Sequence, residues 1–145
     1  MWPPQWLTPV PTKALKNGEG EVVIDFAEAF GVVTKDSVAG RAGESLHLRD
    51  WQKELIRHVF AGDERGYRHA INLILMPRKN GKSALGSIFG LYSLILGVRG
   101  AEVYSVAAEK EQARIVFQDA KRMIEASEEL SKITKLYRDA IELPS

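Results

Sequence analysis

Arg78-Lys79-Asn80-Gly81-Lys82-Ser83 is the stretch of this sequence whose residue types and order could do chemistry. A polyphosphate needs closely spaced backbone N–H donors, a cation that reaches its terminal groups, and a hydroxyl for the magnesium ion that screens the remaining charge. Gly81 lets the main chain approach phosphate without a side chain, Lys82 can reach the β and γ groups, and Ser83 can ligate magnesium at the start of a helix. The binding segment is read as Pro77, Arg78, Lys79, Asn80, Gly81, Lys82, Ser83 and Ala84. The pattern departs from Gly-x-x-x-x-Gly-Lys-Ser/Thr because Met76 holds its first position. A lone Gly-Lys-Ser is also common at basic surface turns and ordinary helix starts. Crowding Arg78 and Lys79 beside Lys82 is costly unless a strong anion binds there, which favours a nucleotide over an empty turn.

The elements that must position this loop can be read on either side of it. Ile71-Asn72-Leu73-Ile74-Leu75-Met76 is a short apolar run stopped by Pro77, as a buried strand should be. Helix-forming sequence resumes at Lys82 and continues to about Leu96, where Gly97 and Gly100 break it. Glu102-Val103-Tyr104-Ser105-Val106-Ala107 then reads as another strand. The three together suit a right-handed parallel crossover. From Glu109 an amphipathic helix turns Ala113, Val116, Phe117, Ala120, Met123 and Ile124 inward. Beyond Ser131 the pattern weakens, and Ile141 and Leu143 alternate like an entering strand.

Upstream of the loop, a helix closed by Gly31 carries Val22, Val23, Phe26, Ala27 and Phe30 on one face. Thr34 to Ser45 reads as a loop containing Gly40 and Gly43. A second helix begins near Asp50, expected as its N-cap, with Trp51 and Gln52 in the first turn and Leu55, Ile56, Val59 and Phe60 on its inner face. Asp63 to Arg68 reads as a polar connection. Four of the six prolines fall within the first eleven residues, so the start should be an extended arm, with Trp2 and Trp6 either anchoring it or simply exposed.

Composition bounds the rest. The 145 residues are about one domain long, and 45% apolar content is enough for a core. Twenty Lys plus Arg against nineteen Asp plus Glu give no bulk nucleic-acid footprint. The absence of cysteine removes disulfides and thiolate chemistry, and three scattered His have no metal-ligand spacing. Ala84 to Val98 is too short and too glycine-interrupted to span a membrane. With no signal-like start either, a cytoplasmic protein is expected.

Taken together, Met76-Pro77-Arg78-Lys79-Asn80-Gly81-Lys82-Ser83 after an apolar strand, with Leu48-Arg49-Asp50-Trp51-Gln52 upstream, resembles tailed-phage terminase large subunits. Gly40-x-x-Gly43, Gly66-Tyr67-Arg68 and Val103 to Ala108 leading to Gln112-Ala113 extend the likeness over roughly residues 20 to 130. It implies an ATP- and Mg2+-dependent P-loop motor that packages double-stranded DNA, acting with a terminase small subunit and a portal protein as a homo-oligomeric ring in the host cytoplasm. It also implies that Gln52, with Trp51 beside it, reads the adenine edge, although a Trp-Gln at a helix start more often serves packing. Lys82 and Arg78 are the catalytic candidates. By position Arg78 matches the family's arginine finger or sensor, and a planar guanidinium can stabilise charge on transferring phosphoryl oxygens, or merely grip ground-state phosphate.

The fold expected from the resemblance is α/β, a three-layer α/β/α P-loop NTPase with a mainly parallel sheet, incomplete at the C-terminus and preceded by a helical segment. Residues 1–18 would form the arm and 19–145 the first portion of the ATPase domain. Hydrolysis also needs an acidic magnesium partner and a carboxylate to orient water. Asp63-Glu64 precedes the loop at what reads as a helix end, and Glu128-Glu129 lies on a polar helix end. The Walker B strand, coupling motif and nuclease acids are therefore expected beyond Ser145, leaving this chain inactive alone. A helicase-like ATPase, which shares the glutamine and the loop, or an inert prophage remnant are the rival expectations.

Overall fold

In the computed structural model, residues 2–33 and 40–144 are described. Part of the loop expected over Thr34 to Ser45 thus lies outside the described residues. The chain folds as helices around one core, with two small antiparallel hairpins at its margins. The elements are α1 (Thr12–Asn17), α2 (Gly20–Phe30), α3 (Asp50–Val59), β1 (Gly62–Asp63), β2 (Gly66–Tyr67), α4 (Lys82–Leu96), α5 (Lys110–Glu125), α6 (Glu128–Ile133), β3 (Lys135–Leu136) and β4 (Ile141–Glu142).

Helix α4 is the centre of the packing, with α5 on one side and α2 on another, and α2 in turn rests on α3. Leu85, Ile88, Leu91 and Tyr92 of α4 are buried against Val23, Phe26 and Ala27 of α2, Ile56 of α3 and Met123 and Ile124 of α5. Phe60, just past α3, meets the rings of Tyr67, Phe89 and Tyr92 edge to face at 5.5, 5.2 and 5.6 Å. Such edge-to-face contacts add to area burial and fix the relative angles of the helices. The expected inner faces of α3 and α5 are the observed ones. In α2 the stripe is rotated: Ile24 is buried while Val22 is half exposed.

A tight approach holds α2 on α3. A Cβ on Gly20 would stand 2.7 Å from Arg57 Cα, and one on Gly18 would stand 2.3 Å from the Phe60 carbonyl oxygen. Glu19, between them, donates its backbone N–H to that Phe60 carbonyl at 3.0 Å. Its Oε2 accepts hydrogen bonds from the Tyr67 and Tyr92 hydroxyls, the latter at 3.0 Å. One carboxylate thereby ties the β1–β2 hairpin and α4 to the start of α2.

Several expectations are corrected. Residues 2–11 carry no helix or strand, as their prolines predict, while the remainder of the 1–18 segment adds a short helix, Thr12–Asn17, that packs on β1. Trp2 packs against His58 with ring centroids 4.9 Å apart and planes tilted by 52°, whereas Trp6 is 81% exposed. Asp50 is the first residue of α3 rather than its N-cap. The cap position belongs to Arg49, whose backbone N–H is received by Gln52 Oε1 at 2.9 Å. Residues 62–67 form a hairpin in place of a polar connection, which puts Asp63 in a strand and Glu64 in a turn rather than at a helix end. Helix α6 follows α5, its first turn capped by Ser127 Oγ accepting from Leu130 N–H.

Neither apolar run beside α4 forms a strand among the described residues, and the sheets present are both two-stranded and antiparallel. A buried parallel strand exists only when neighbours accept its ladder hydrogen bonds. Here Ile74 and Met76 lie against α4, while Ile71, Leu73 and Leu75 are 90%, 83% and 77% exposed. In the second run Val106 is 87% exposed, and Ser105 Oγ donates to the Ala113 carbonyl of α5 at 2.9 Å. No helix of the described residues is long and apolar enough to cross a membrane.

Candidate functional site

The Pro77–Ala84 segment is built by backbone conformation before any side chain acts. Lys79 and Gly81 both have positive φ, 63° and 80°, so Asn80 is flanked by two left-handed residues. Left-handed residues among right-handed ones turn successive N–H groups into a concave donor array of the type that holds anions. A left-handed lysine costs roughly 1–2 kcal/mol, since its Cβ crowds the following carbonyl. The Asn80 side chain holds the turn. Its Nδ2 donates to the Pro77 carbonyl at 3.2 Å and to the Arg78 carbonyl at 3.3 Å.

Helix α4 starts directly from this turn at Lys82, as expected, with Gly81 as its N-cap residue. Its unpaired first-turn N–H groups and dipole therefore face the loop. Lys82 Nζ donates back to the Met76 carbonyl at 3.3 Å, spanning the loop from end to start. The side chains of Arg78, Lys79 and Lys82 are exposed, and those of Ser83 and Ala84 are half-buried. Among the described residues no Asp or Glu is ion-paired to the loop, and no three His, Asp or Glu side chains gather where they could hold a metal ion.

Gln52 is brought to this loop from α3. A Cβ on Gly81 would stand 3.2 Å from Gln52 Nε2, so the amide nitrogen occupies the side of the loop that the missing side chain leaves open. The same amide's Oε1 accepts the Arg49 N–H, which fixes its rotation and turns Nε2 toward the loop. Trp51, next to it in the first turn, is half-buried. The donor set fits a polyphosphate: a left-handed turn of the kind that gathers N–H groups, a helix N-terminus, three cations, and the Gln52 amide against Gly81.

Three contributors to this arrangement were missed in the sequence. Asn80 as a staple was detectable in principle, because Asn readily bonds nearby backbone groups in turns. Ser87, 1% exposed, donates toward the Ser83 carbonyl at 2.6 Å and the Val116 carbonyl at 3.0 Å, so the first turn of α4 is tied to α5. The cap made by Gln52 carried the spacing of a capping box with an unusual cap residue.

A loop of this pattern running directly into a helix N-terminus is the arrangement expected of a phosphate-binding protein, and comparison with known proteins makes the class specific. Residues 50–144 match the family described as terminase large subunit, ATPase domain, and the chain belongs to that family. It is 32% identical over 119 residues to the terminase large subunit of Enterobacteria phage HK97, an alignment covering 81% of this chain and 22% of that protein. The crystal structure of the HK97 bacteriophage large terminase is similar at a TM-score of 0.70 and 28% identity, covering 84% of this chain and 24% of that one. The chain thus spans about a quarter of the length of these relatives. The α/β class expected from sequence agrees with this likeness.

Proposed function

We propose that this chain is the ATP-gripping part of a phage DNA-packaging motor. ATP would lie with its phosphates on the Pro77–Ala84 loop and its adenine toward Gln52 and Trp51. The observation that carries the proposal is the Gln52 amide nitrogen standing against Gly81, which joins two segments distant in sequence into one concave surface. Lys82 would exchange the Met76 carbonyl for the β and γ phosphates, and the Ser83 hydroxyl is the chain's candidate ligand for magnesium. Magnesium, when bound, would screen phosphate charge. Arg78, which forms no ion pair among the described residues, would stabilise charge spreading over the transferring phosphoryl oxygens.

In a full-length terminase the carboxylates for hydrolysis come from other segments, and this chain alone binds ATP without turning it over. The two apolar runs, Ile71–Met76 and Glu102–Ala107, are then strands of a mainly parallel sheet in a three-layer α/β/α P-loop domain. The half-covered Ile71–Met76 run, with Met76 packed on the core, Ile74 facing α4 across a hollow and Ile71, Leu73 and Leu75 open, supports this. The complete motor would form a homo-oligomeric ring with the terminase small subunit and portal protein, moving double-stranded DNA into a procapsid in the host cytoplasm.

Titration of a fluorescent ATP analogue in the presence of Mg2+ tests the proposal. Lys82→Ala should weaken binding at least about tenfold, the loss of one charge-assisted contact. Gln52→Ala should remove any preference for ATP over GTP. Binding indifferent to Lys82→Ala, or a wild-type chain with no base preference, overturns it.

A further inference from the structure

A second concave surface lies away from the nucleotide loop, between α1 and the β1–β2 hairpin. It is a cleft of about 460 Å³ whose lining includes Lys13, Arg65 and Arg68, with Asp63 as its one carboxylate. We propose that this cleft grips the phosphodiester backbone of double-stranded DNA. The inference rests on the motor reading above for the identity of its partner, and on the following for its location.

The three cations come from two separate elements, α1 and the hairpin, and none forms an ion pair among the described residues. Asp63 is turned into the hairpin: its Oδ1 accepts the Arg65 backbone N–H at 2.8 Å, which spends part of its capacity inside the turn. Within the lining three cations stand against one inward-drawn carboxylate, and with exposed Glu64 of the adjoining turn counted the local balance is still positive, on a chain whose net charge is only +1. A planar guanidinium matches a phosphate in two parallel hydrogen bonds, and two of the three cations are arginines.

The scaffold beneath them is rigid. The Tyr67 hydroxyl is held by Glu19, its ring lies edge-on to Phe60, and the Arg68 backbone N–H bonds the Ala61 carbonyl at 2.8 Å. Gly62 leaves no space, since a Cβ there would stand 2.2 Å from the Gly66 carbonyl oxygen. The hairpin is therefore clamped to the core, and Arg65 and Arg68 project from fixed main chain. Preorganised cations lose less freedom on binding than cations on a loose tail. Backbone gripping of this kind carries no sequence information, which is what a motor that moves any DNA requires.

The test is fluorescence anisotropy of a labelled duplex of about 20 base pairs, a length that offers several times the phosphates this cleft could neutralise, across a salt series. Arg65→Ala with Arg68→Ala should weaken binding by about tenfold or more and make the slope of log affinity against log salt shallower by about 2. Arg65→Lys with Arg68→Lys should keep most of the salt slope, separating charge from folding. Lys135→Ala with Arg138→Ala removes the same charge elsewhere and should leave affinity within about twofold, consistent with a contact that decays within a Debye length. Equal loss in that control pair, absence of duplex binding by the wild-type chain, or stronger binding of an acidic peptide than of duplex would overturn the proposal. ATP-analogue binding, measured in parallel, should be unchanged by the arginine substitutions. Loss of ATP binding with DNA binding intact would sink the nucleotide reading alone.

Discussion

Ser87 reaches across from α4 to the Val116 carbonyl of α5 at 3.0 Å while lying 2.6 Å from the Ser83 carbonyl one turn back on its own helix. A hydroxyl has one proton for these two acceptors. The contact is buried and lies beside Gly86, where an added Cβ would be in van der Waals contact with Val116 at 3.5 Å. Whatever shifts the first turn of α4 therefore reaches α5 through Ser87. The expected consequence of Ser87→Ala is a loss of about 1 kcal/mol, the net value of a typical intramolecular hydrogen bond. Urea denaturation should give a lower midpoint at unchanged slope. An unchanged midpoint would show that the bridge contributes nothing to stability.

Lys79 offers a cleaner separation of conformation from charge. Its φ of 63° is tolerated by glycine and poorly by β-branched residues. Lys79→Gly and Lys79→Val remove the same charge, so the difference between them isolates the backbone. The valine variant should be less stable than the glycine variant by roughly 1–3 kcal/mol. It should also bind the ATP analogue more weakly, because the N–H concavity depends on the left-handed turn. Equal stability of the two variants would mean that the loop does not hold this conformation in solution.

Arg78 is exposed and has no ion-pair partner among the described residues, and its proposed role makes a kinetic prediction for a full-length terminase carrying this site. If the guanidinium acts on the transition state, Arg78→Ala should lower turnover by about a thousandfold or more while ATP affinity changes little. Steady-state ATPase assays beside equilibrium binding check this. Parallel losses in turnover and affinity would restrict Arg78 to ground-state binding.

How much of this was legible from sequence depends on which force fixes each feature. Helices α2 and α5 follow apolar periodicity over several turns, with Val23 and Met123 buried as expected, and α4 follows a long helix-forming stretch bounded by Gly81 and Gly97. The β1–β2 hairpin was not legible because two-residue strands carry no alternation; its position follows from Phe60, Tyr67 and Glu19, a tertiary cluster. Ile71–Met76 has the composition of a buried strand, yet a strand is a property of a pair, and no described residue pairs with it. The turn into α4 was expected from Gly81-Lys82-Ser83 together with the crowded Arg78 and Lys79, and α4 begins at Lys82. Lys79 in a left-handed conformation was not, since lysine has no preference for it. Gln52 was picked out by family likeness, but its place beside Gly81 is an outcome of α3 and α4 both packing on α2, which local sequence does not encode.

Glu19 supplies the pH-dependent prediction. Tyr92 is pushed up to about 12, chiefly by burial and then by its hydrogen bond to Glu19, and Tyr67 is raised further for the same reasons in the same order. An ionised phenol in that position would lose its bond to the carboxylate and place a second negative charge beside it. Folded pKa values above the unfolded value of 10.0 mean that this contribution to stability is complete below pH 10 and is lost as pH rises through the folded values. Tyr104 and Tyr137 are also raised, by Glu102 and Glu142 respectively, so none of the four tyrosines should ionise as a free phenol does. Absorbance titration near 295 nm should place the native transition above pH 10 and the urea-unfolded one at pH 10. Glu19→Gln should bring Tyr67 and Tyr92 down toward the ordinary value while Tyr104 and Tyr137 stay where they are. Coincident native and unfolded titrations, or a native titration that Glu19→Gln does not move, would remove the carboxylate from its place between the hairpin and α4.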